Sequence, residues 1–250
     1  MRRWMIAVLV LAAVVLASTP LVAQEAGGFV RVVTVHVQLG HQKHLESLLP
    51  KLWAAYKKAG VQSPSFVSRG VSDPSAFTFV MPMASLADLG AQEEQLGKAF
   101  GTDPALTGEI FGMVTSTDDE IWAARPDLGY TPASPRVPMM ELAFLRIALL
   151  YAVPGQTPAL EAELRARNEI RKKHGIPTAV NVVQLVVGRD GPVYGILMSG
   201  RDEADFYAQN AKDNTKMGAE WQASLDKTGP MLRRVEFQTL AERPDLNYMP

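Results

Sequence analysis

An eight-residue segment occurs twice in this chain, and the repeat constrains the fold more than any other feature. Arg125-Pro-Asp-Leu-Gly-Tyr-Thr-Pro132 returns as Arg243-Pro-Asp-Leu-Asn-Tyr-Met-Pro250, with six of eight positions identical at an offset of 118. Three further matches recur at an offset of 115: Gly40 with Gly155, Leu45-Glu46 with Leu160-Glu161, and Gly60-Val61 with Gly175-Ile176. A period of this length is the size of a small domain and too long for a solenoid repeat. The sequence therefore predicts two related folding units.

The first 23 residues have the layout of a secretory signal peptide. Arg2 and Arg3 precede an apolar run from Met5 to Ala17, and Ala23 is well placed for cleavage. We therefore expect a periplasmic or secreted protein whose mature chain begins at Gln24. The alternative is an uncleaved membrane anchor, but the apolar run is shorter than the roughly 20 residues that a spanning helix needs.

The composition excludes several classes of function. The chain has no cysteine, which excludes disulfides, zinc-thiolate sites and a cysteine nucleophile. Without residues 1–23 the chain keeps 23 basic and 26 acidic residues, a net charge of −3. This balance gives no electrostatic footprint for nucleic acid or for an anionic membrane. We therefore expect neither partner after cleavage, and the oligomeric state stays open.

The periodicity of apolar residues predicts the same order of elements in both units, which we place at 24–132 and 141–250 with a linker at 133–140. In the first unit it predicts strands at 29–38, 65–71, 76–81 and 113–122, and helices at 45–59 and 85–100. In the second unit it predicts strands at 141–153, 181–188, 192–199 and 231–241, and helices at 157–174 and 202–218. The order β-α-β-β-α-β is that of a ferredoxin-like domain.

Each predicted unit has both helices on one side of its sheet, so the other side is uncovered. Two such sheets in one chain can cover each other and close a barrel with the helices outside. We therefore predict an α+β fold, in which tandem ferredoxin-like units form one intrachain barrel. We expect neither unit to be stable alone.

The order of elements, together with the segment Thr34-Val-His-Val-Gln-Leu-Gly-His-Gln-Lys-His-Leu-Glu46, resembles the dimeric α+β barrel superfamily. The similarity is greatest to its NIPSNAP-like and antibiotic-biosynthesis-monooxygenase-like branches, and it covers about residues 29–130 and 141–250. The resemblance implies a barrel whose interior can hold a small molecule. In different branches that molecule is a monooxygenase substrate or a haem.

The first strands of the two units supply the candidate site. Strand alternation puts Val32, Thr34, His36 and Gln38 on one face of the first strand. It puts Ile147, Leu149 and Tyr151 on the matching face of the second. We expect His36 and Tyr151 to enter the barrel, His36 as a general base and Tyr151 or Arg146 as support for an oxyanion. The predicted ligand-binding residues are Val32, Thr34, Gln38, Ile147 and Leu149, and the alternative is that these are ordinary buried residues.

The remaining histidines have simpler explanations than a metal or a cofactor. His41 and His44 are three residues apart at a helix start, but they lack a third ligand on the same face, so we expect no metal. His174 precedes Gly175 at a predicted helix end, where an imidazolium suits the helix dipole. A haem ligand at His174 is the alternative, and our prediction is that the protein has no cofactor.

Three other features are interpreted structurally. The predicted role of Trp53, Trp122 and Trp221 is core filling, with pocket lining as the alternative. The charged segment 165–173 is predicted to be a solvated helix face with internal ion pairs. The repeated segment is interpreted as a structural clasp, because its proline and aspartate suit a turn and its leucine and tyrosine can seal the barrel rim.

These observations leave three functions open. The first is an exported barrel protein that binds a small, largely apolar molecule. The second is a cofactor-independent monooxygenase or isomerase that uses His36 as its base. The third is a structural or interaction domain whose barrel is filled, and the volume of the interior cavity discriminates among them.

Overall fold

The computed structural model describes residues 28–138 and 141–250, and it shows a mixed α/β fold built on a closed barrel of eight strands. The order around the barrel is β1-β3-β2-β8-β5-β7-β6-β4, and every neighbouring pair is antiparallel. The strands are β1 (Phe29–Val37), β2 (Phe66–Gly70), β3 (Ala76–Met83), β4 (Val114–Ala124), β5 (Phe144–Ala152), β6 (Asn181–Val187), β7 (Val193–Gly200) and β8 (Leu232–Glu242). The α-helices are α1 (Gln42–Ala59), α2 (Asp88–Thr102), α3 (Pro104–Met113), α4 (Thr157–Lys173) and α5 (Glu203–Thr228).

Strand alternation separates an outer core from the barrel interior. On β1, Val35 and Val37 point outward and pack with the apolar face of α1, whereas Val30 and Val32 point inward. The helices therefore cover the outside of the barrel, and the inward-facing residues of all eight strands form its interior. In the described part of the chain no helix is long and apolar enough to span a membrane.

The repeated segment forms two reciprocal clasps between the halves of the chain. Arg125 pairs with Asp127 in its own turn and donates to Glu161 at 2.7 Å, a residue of α4 in the second half. Arg243 pairs with Asp245 in the same way and donates to Glu46 at 2.7 Å, a residue of α1 in the first half. Each copy of the segment therefore binds the first helix of the opposite half.

The apolar residues of the repeat are exchanged in the same way. Leu246 and Tyr248 belong to the outer core of the first half, and the Tyr248 hydroxyl donates to the Val61 carbonyl at 2.8 Å. Leu128 belongs to the outer core of the second half, and the Tyr130 hydroxyl donates to the Ile176 carbonyl at 2.9 Å. Each half thus completes its core with a segment from the other.

Two helices differ from the sequence prediction. The predicted helix at 85–100 is followed by a separate helix, α3, which begins after Asp103 because the Asp103 side chain accepts from the Leu106 amide and Pro104 occupies the first turn. The predicted end of the last helix at Gly218 is a break and not an end. Gly218 has φ 55° and ψ −136°, and α5 continues beyond it to Thr228.

The predicted solvated face at 165–173 is partly wrong. Arg165 is exposed and binds Asp127, as expected of a surface residue. Arg167 and Arg171, however, are each only 8% exposed, because their side chains point from α4 toward the barrel and α5. The alternating charges of this segment concealed two buried positions.

Candidate functional site in the barrel interior

The barrel interior contains a cavity of about 550 Å³. Its wall is mainly apolar and includes Val32, Val80, Trp122, Ile147 and Leu197. A cavity of this size is within the range of small-molecule binding sites. The interior is therefore not filled by side chains, which argues against a purely structural barrel.

A polar row crosses one side of the cavity, and we define it as Thr34, Thr78, Ser68 and Glu242. These four residues stand opposite one another in register on the adjacent strands β1, β3, β2 and β8. All four line the cavity. The threonine hydroxyl oxygens are 3.3 Å apart, and the Ser68 hydroxyl donates to Glu242 Oε1 at 3.2 Å.

An apolar row occupies the matching register on the other side, and we define it as Leu149, Gly195, Val183 and Ala124. These residues stand opposite one another on β5, β7, β6 and β4 and also line the cavity. Every hydroxyl or carboxylate of the polar row is thus replaced by an apolar group or by hydrogen. The cavity therefore favours a molecule that is apolar on one side and carries a polar group on the other.

Glu242 is the group in this cavity best suited to proton transfer. Among the described residues it forms no ion pair, and its side-chain partner is the Ser68 hydroxyl. Burial raises the pKa of Glu242 above the ordinary range of a glutamate, and the hydrogen bond from Ser68 offsets part of that rise. A carboxylate with a raised pKa is a stronger base than one in water, and a perturbed group in a cleft is typical of functional sites.

The second acidic group in the cavity, Glu120, is paired with neighbouring side chains. Glu120 forms an ion pair with Arg189 and accepts a hydrogen bond from Trp122 Nε1 at 3.1 Å. Arg189 also donates to the Tyr151 hydroxyl at 3.1 Å, and that hydroxyl donates to Glu236 at 2.8 Å. These contacts occupy Glu120, so we interpret it as a structural group of the cavity wall.

Four of the five residues predicted to bind a ligand line the cavity: Val32, Thr34, Ile147 and Leu149. Gln38 does not, because it lies past the end of β1 and its side chain donates to the Gly112 carbonyl at 3.3 Å. Trp122 also lines the cavity, whereas Trp53 packs in the outer core of the first half.

The structure corrects the expected position of His36. The residue is on the inward face of β1 but close to the end of the strand, where a bulge separates it from Val37. Its Nδ1 is 3.1 Å from Asp73, its Nε2 is 3.8 Å from the exposed Asp118, and it does not line the cavity. His36 is therefore a rim residue between two surface carboxylates.

The two expected partners of His36 are also elsewhere. Tyr151 is buried at the same end of the barrel, but it contacts Arg189 and Glu236 and not the partners of His36. Arg146 projects from the outer face of β5, because strand alternation turns it away from Ile147. Its guanidinium lies 4.3 Å from the Phe237 ring centroid and donates to the Tyr207 hydroxyl at 2.8 Å, so the three residues predicted to be catalytic do not form one site.

Two of the other histidines, His44 and His174, contact acids on the surface. His44 Nε2 is 2.8 Å from Glu109, and His174 Nε2 is 3.3 Å from Glu220. Within residues 28–138 and 141–250, no group of three or more acidic or histidine side chains is arranged to hold a metal ion.

The sequence contained a signal for Glu242 that the strand pattern alone did not reveal. The two copies of the repeat are preceded by Ala123-Ala124 and by Ala241-Glu242, so the alignment differs by one charged residue immediately before the shared arginine. Both positions face the cavity. Comparing the copies position by position would have shown that one half carries a carboxylate where the other has a methyl group.

No family model matches this chain, and no curated protein matches it. Solved structures do match. An anthrone oxidase-like protein has a TM-score of 0.61 at 13% identity and covers 88% of this chain and 92% of its own. A candidate monooxygenase from Lactobacillus acidophilus NCFM has a TM-score of 0.54 at 7% identity, covering 86% and 94%. A mutant chlorite dismutase from Candidatus Nitrospira defluvii has a TM-score of 0.56 at 11% identity, covering 90% and 94%.

The chlorite dismutase similarity contradicts our prediction that there is no cofactor. Chlorite dismutases are a haem-binding family, so this fold does accommodate a cofactor. The side chains of this chain do not fit a haem that has a histidine or tyrosine as its axial ligand. No histidine or tyrosine of the described residues lines the barrel cavity or a second cavity, which lies between the sheet and the helices α4 and α5. His174, the alternative haem ligand, lies outside both cavities.

These similarities show the fold alone, because the sequence identity to each of the three proteins is 13% or less. A monooxygenase-like role and the NIPSNAP-like branch both stay predictions. Each of the three matches covers at least 86% of this chain, so the similarity includes both halves of the barrel. This chain therefore has the fold of the dimeric α+β barrel superfamily.

Proposed function

We propose that the barrel interior binds a small, largely apolar carbon acid, and that Glu242 removes its proton. The observation that carries this proposal is the position of Glu242. It is a carboxylate with a raised pKa at the end of a row of hydroxyls in a mainly apolar cavity, and it pairs with no cation among the described residues. Glu242 takes the place that our sequence analysis had assigned to His36.

The amphipathic cavity suits a carbon acid whose negative charge moves to an oxygen atom. When Glu242 takes the proton, the electron pair of the broken C–H bond is delocalised onto a carbonyl oxygen, which becomes an enolate. Hydroxyl groups that donate to such an oxygen stabilise it in a dry cavity. Thr78 and Thr34 are the hydroxyls next in line after Ser68, and the apolar row accommodates the hydrocarbon part of the molecule.

Molecular oxygen is the co-reactant that fits this chemistry. An electron-rich enolate reduces O₂ and forms a carbon–oxygen bond. The peroxide anion takes the proton back from Glu242, and the resulting hydroperoxide loses water to give a ketone. For anthrone the balance is one anthrone and one O₂ giving one anthraquinone and one water. We choose anthrone as the probe because an anthrone oxidase-like protein shares this fold.

We expect the purified protein to accelerate anthrone oxidation. Anthraquinone formation and O₂ uptake, measured together, should rise with protein concentration in a ratio of one to one, with a metal chelator present. Under anaerobic conditions in D₂O, the protein should speed exchange of the anthrone C–H protons. Anthrone that binds without either exchange or oxidation would contradict the catalytic proposal and leave a binding protein.

We also propose that the protein is exported, as the layout of residues 1–23 suggests. These residues lie outside the described part of the chain. The expected result is an exported form that begins at Gln24, measured as the intact mass of the protein recovered from the periplasm or medium. A mass that includes residues 1–23 would contradict cleavage.

The order of elements and the matched rows support a further proposal, that the two halves arose by duplication of one ferredoxin-like unit. Quasi-equivalent residues occupy the same register, as Ser68 and Val183 do in the two rows. One half then acquired the polar groups and the other the apolar surface. This specialisation is expected when both halves contribute to one shared cavity.

A further inference from the structure

A second cavity of about 480 Å³ lies outside the barrel, between the outer face of the sheet and the helices α4 and α5. Leu150 and Ile196 form its floor on the sheet, and Met217 and Trp221 form its wall on α5. It shares almost no lining with the barrel cavity and plays no part in the function proposed above.

Two buried arginines on α4 face this cavity. Arg167 and Arg171 are four residues apart and both lie against the Trp221 ring, with guanidinium carbons 5.4 Å and 4.7 Å from its centroid. Their counterparts at the repeat offset of 115 are Leu52 and Tyr56, which pack in the outer core of the first half. The second half therefore has charge and a cavity where the first half has packed apolar side chains.

Arg167 makes three side-chain hydrogen bonds to its neighbours, whereas Arg171 makes one. Arg167 donates to the Ser224 side chain at 2.9 Å, to the Ser224 carbonyl and to the Thr228 hydroxyl. Arg171 makes one side-chain hydrogen bond, to Asn168 at 3.0 Å, and among the described residues it pairs with no carboxylate. A buried guanidinium has five N–H donors, so most of those on Arg171 are free to serve a ligand.

One acid in this cavity could pair with Arg171, but its oxygens already accept hydrogen bonds from other residues. Asp213 lines the same cavity, but it accepts from the Thr178 hydroxyl at 2.5 Å and from Gln209 at 2.7 Å. Burial, followed by repulsion from Arg167, lowers the pKa of Arg171 to about 10, whereas Asp213 raises it only weakly. An uncompensated buried charge is costly, and an anion that enters the cavity would remove that cost.

The shape of the cavity depends on a break in α5. The break at Gly218 falls between Met217 and Trp221, so the two parts of α5 that form the wall are not one continuous helix. A straight helix would present a regular face to the sheet, and the break separates the two lining segments instead.

We propose that this cavity binds a monocarboxylate with a compact apolar body. The carboxylate pairs with Arg171, whose planar guanidinium suits bidentate contact, and the apolar body lies against Trp221 and Met217. A neutral molecule of the same shape lacks the charge-assisted pair and binds less tightly.

The probes are 1-naphthoate and its neutral analogue 1-naphthalenemethanol, with affinities measured by calorimetry. We expect Arg171→Met to weaken naphthoate binding at least about 10-fold while leaving the neutral analogue within about 2-fold. Lys172→Met is the matched control, since Lys172 is exposed on the same helix, and it should leave both affinities unchanged. Equal naphthoate affinity in wild type and Arg171→Met, or no naphthoate binding by the wild type, would overturn the proposal.

Tryptophan fluorescence locates the probe even if Arg171→Met fails to fold. Trp221 lines the second cavity and Trp122 lines the barrel cavity. The naphthoate-induced change should vanish in Trp221→Phe and persist in Trp122→Phe. The reverse pattern would place naphthoate in the barrel and overturn the proposal.

Discussion

Removal of residues 243–250 is expected to unfold the first half of the barrel, although those residues are far from it in the chain. The deletion removes Leu246 and Tyr248 from the outer core of that half, where they are 8% and 4% exposed. It also removes the carbonyl that accepts from Trp53 Nε1 at 2.9 Å and the ion pair of Arg243 with Glu46. Truncation of one large buried side chain costs about 2–5 kcal/mol, so losing two approaches the total stability of a typical domain.

Thermal unfolding followed by near-ultraviolet circular dichroism measures this effect, and hydrogen exchange locates it. Leu246→Ala alone should lower the free energy of unfolding by about 2–4 kcal/mol. Met249→Ala, at a position that is 49% exposed, is the matched control and should change it by less than about 0.5 kcal/mol. A deletion variant with the melting temperature of the wild type would show that the clasp does not stabilise the first half.

Glu242→Gln is expected to have two opposite effects, a loss of turnover and a gain in stability. A general base contributes about 10²- to 10⁴-fold to a rate, so anthrone oxidation should fall by that factor while anthrone binding is retained. The gain in stability follows from the raised pKa of Glu242. Ionised Glu242 is a partly buried negative charge that pairs with no cation among the described residues, and the neutral amide removes the cost of burying it.

The pH dependence of the melting temperature distinguishes the removal of a buried charge from a change in packing. For an acid whose pKa is raised on folding, the native state binds more protons than the unfolded state, so stability falls as pH rises from the unfolded pKa to the folded one. The melting temperature of Glu242→Gln should therefore exceed that of the wild type at pH 8, and the difference should disappear near pH 4. Glu169→Gln, which removes an exposed carboxylate, should show no such pattern. A variant that keeps full turnover would rule out Glu242 as the base.

The order of elements was predictable from the sequence because it depends on local periodicity. The alternation of β1 correctly separated Val32 and Thr34, which face the cavity, from Val35 and Val37, which face α1. The helix α3 was missed because it follows α2 so closely. Its only sequence signal was the pair Asp103-Pro104, an N-cap followed by a proline.

The site was less predictable because it depends on which strands become neighbours. Alternation showed that His36 shares a face with Thr34, but not that the cavity ends before it reaches His36. Glu242 meets Ser68 only because β8 of the second half pairs with β2 of the first half, across 174 residues of chain. The burial of Arg171 depends in the same way on how α5 packs over α4. Strand pairing and helix packing at such distances leave no periodic signal in the sequence.

Because the halves exchange the two repeat segments, the order of synthesis limits when the first half can fold. Residues 243–250 are synthesised after everything else that the first half contains, yet that half lacks part of its core without them. A growing chain therefore has no complete core to fold around until β8 and the segment after it have been made. We expect the first half to stay unfolded until residues 243–250 have been made and then to close in one cooperative step with the second half.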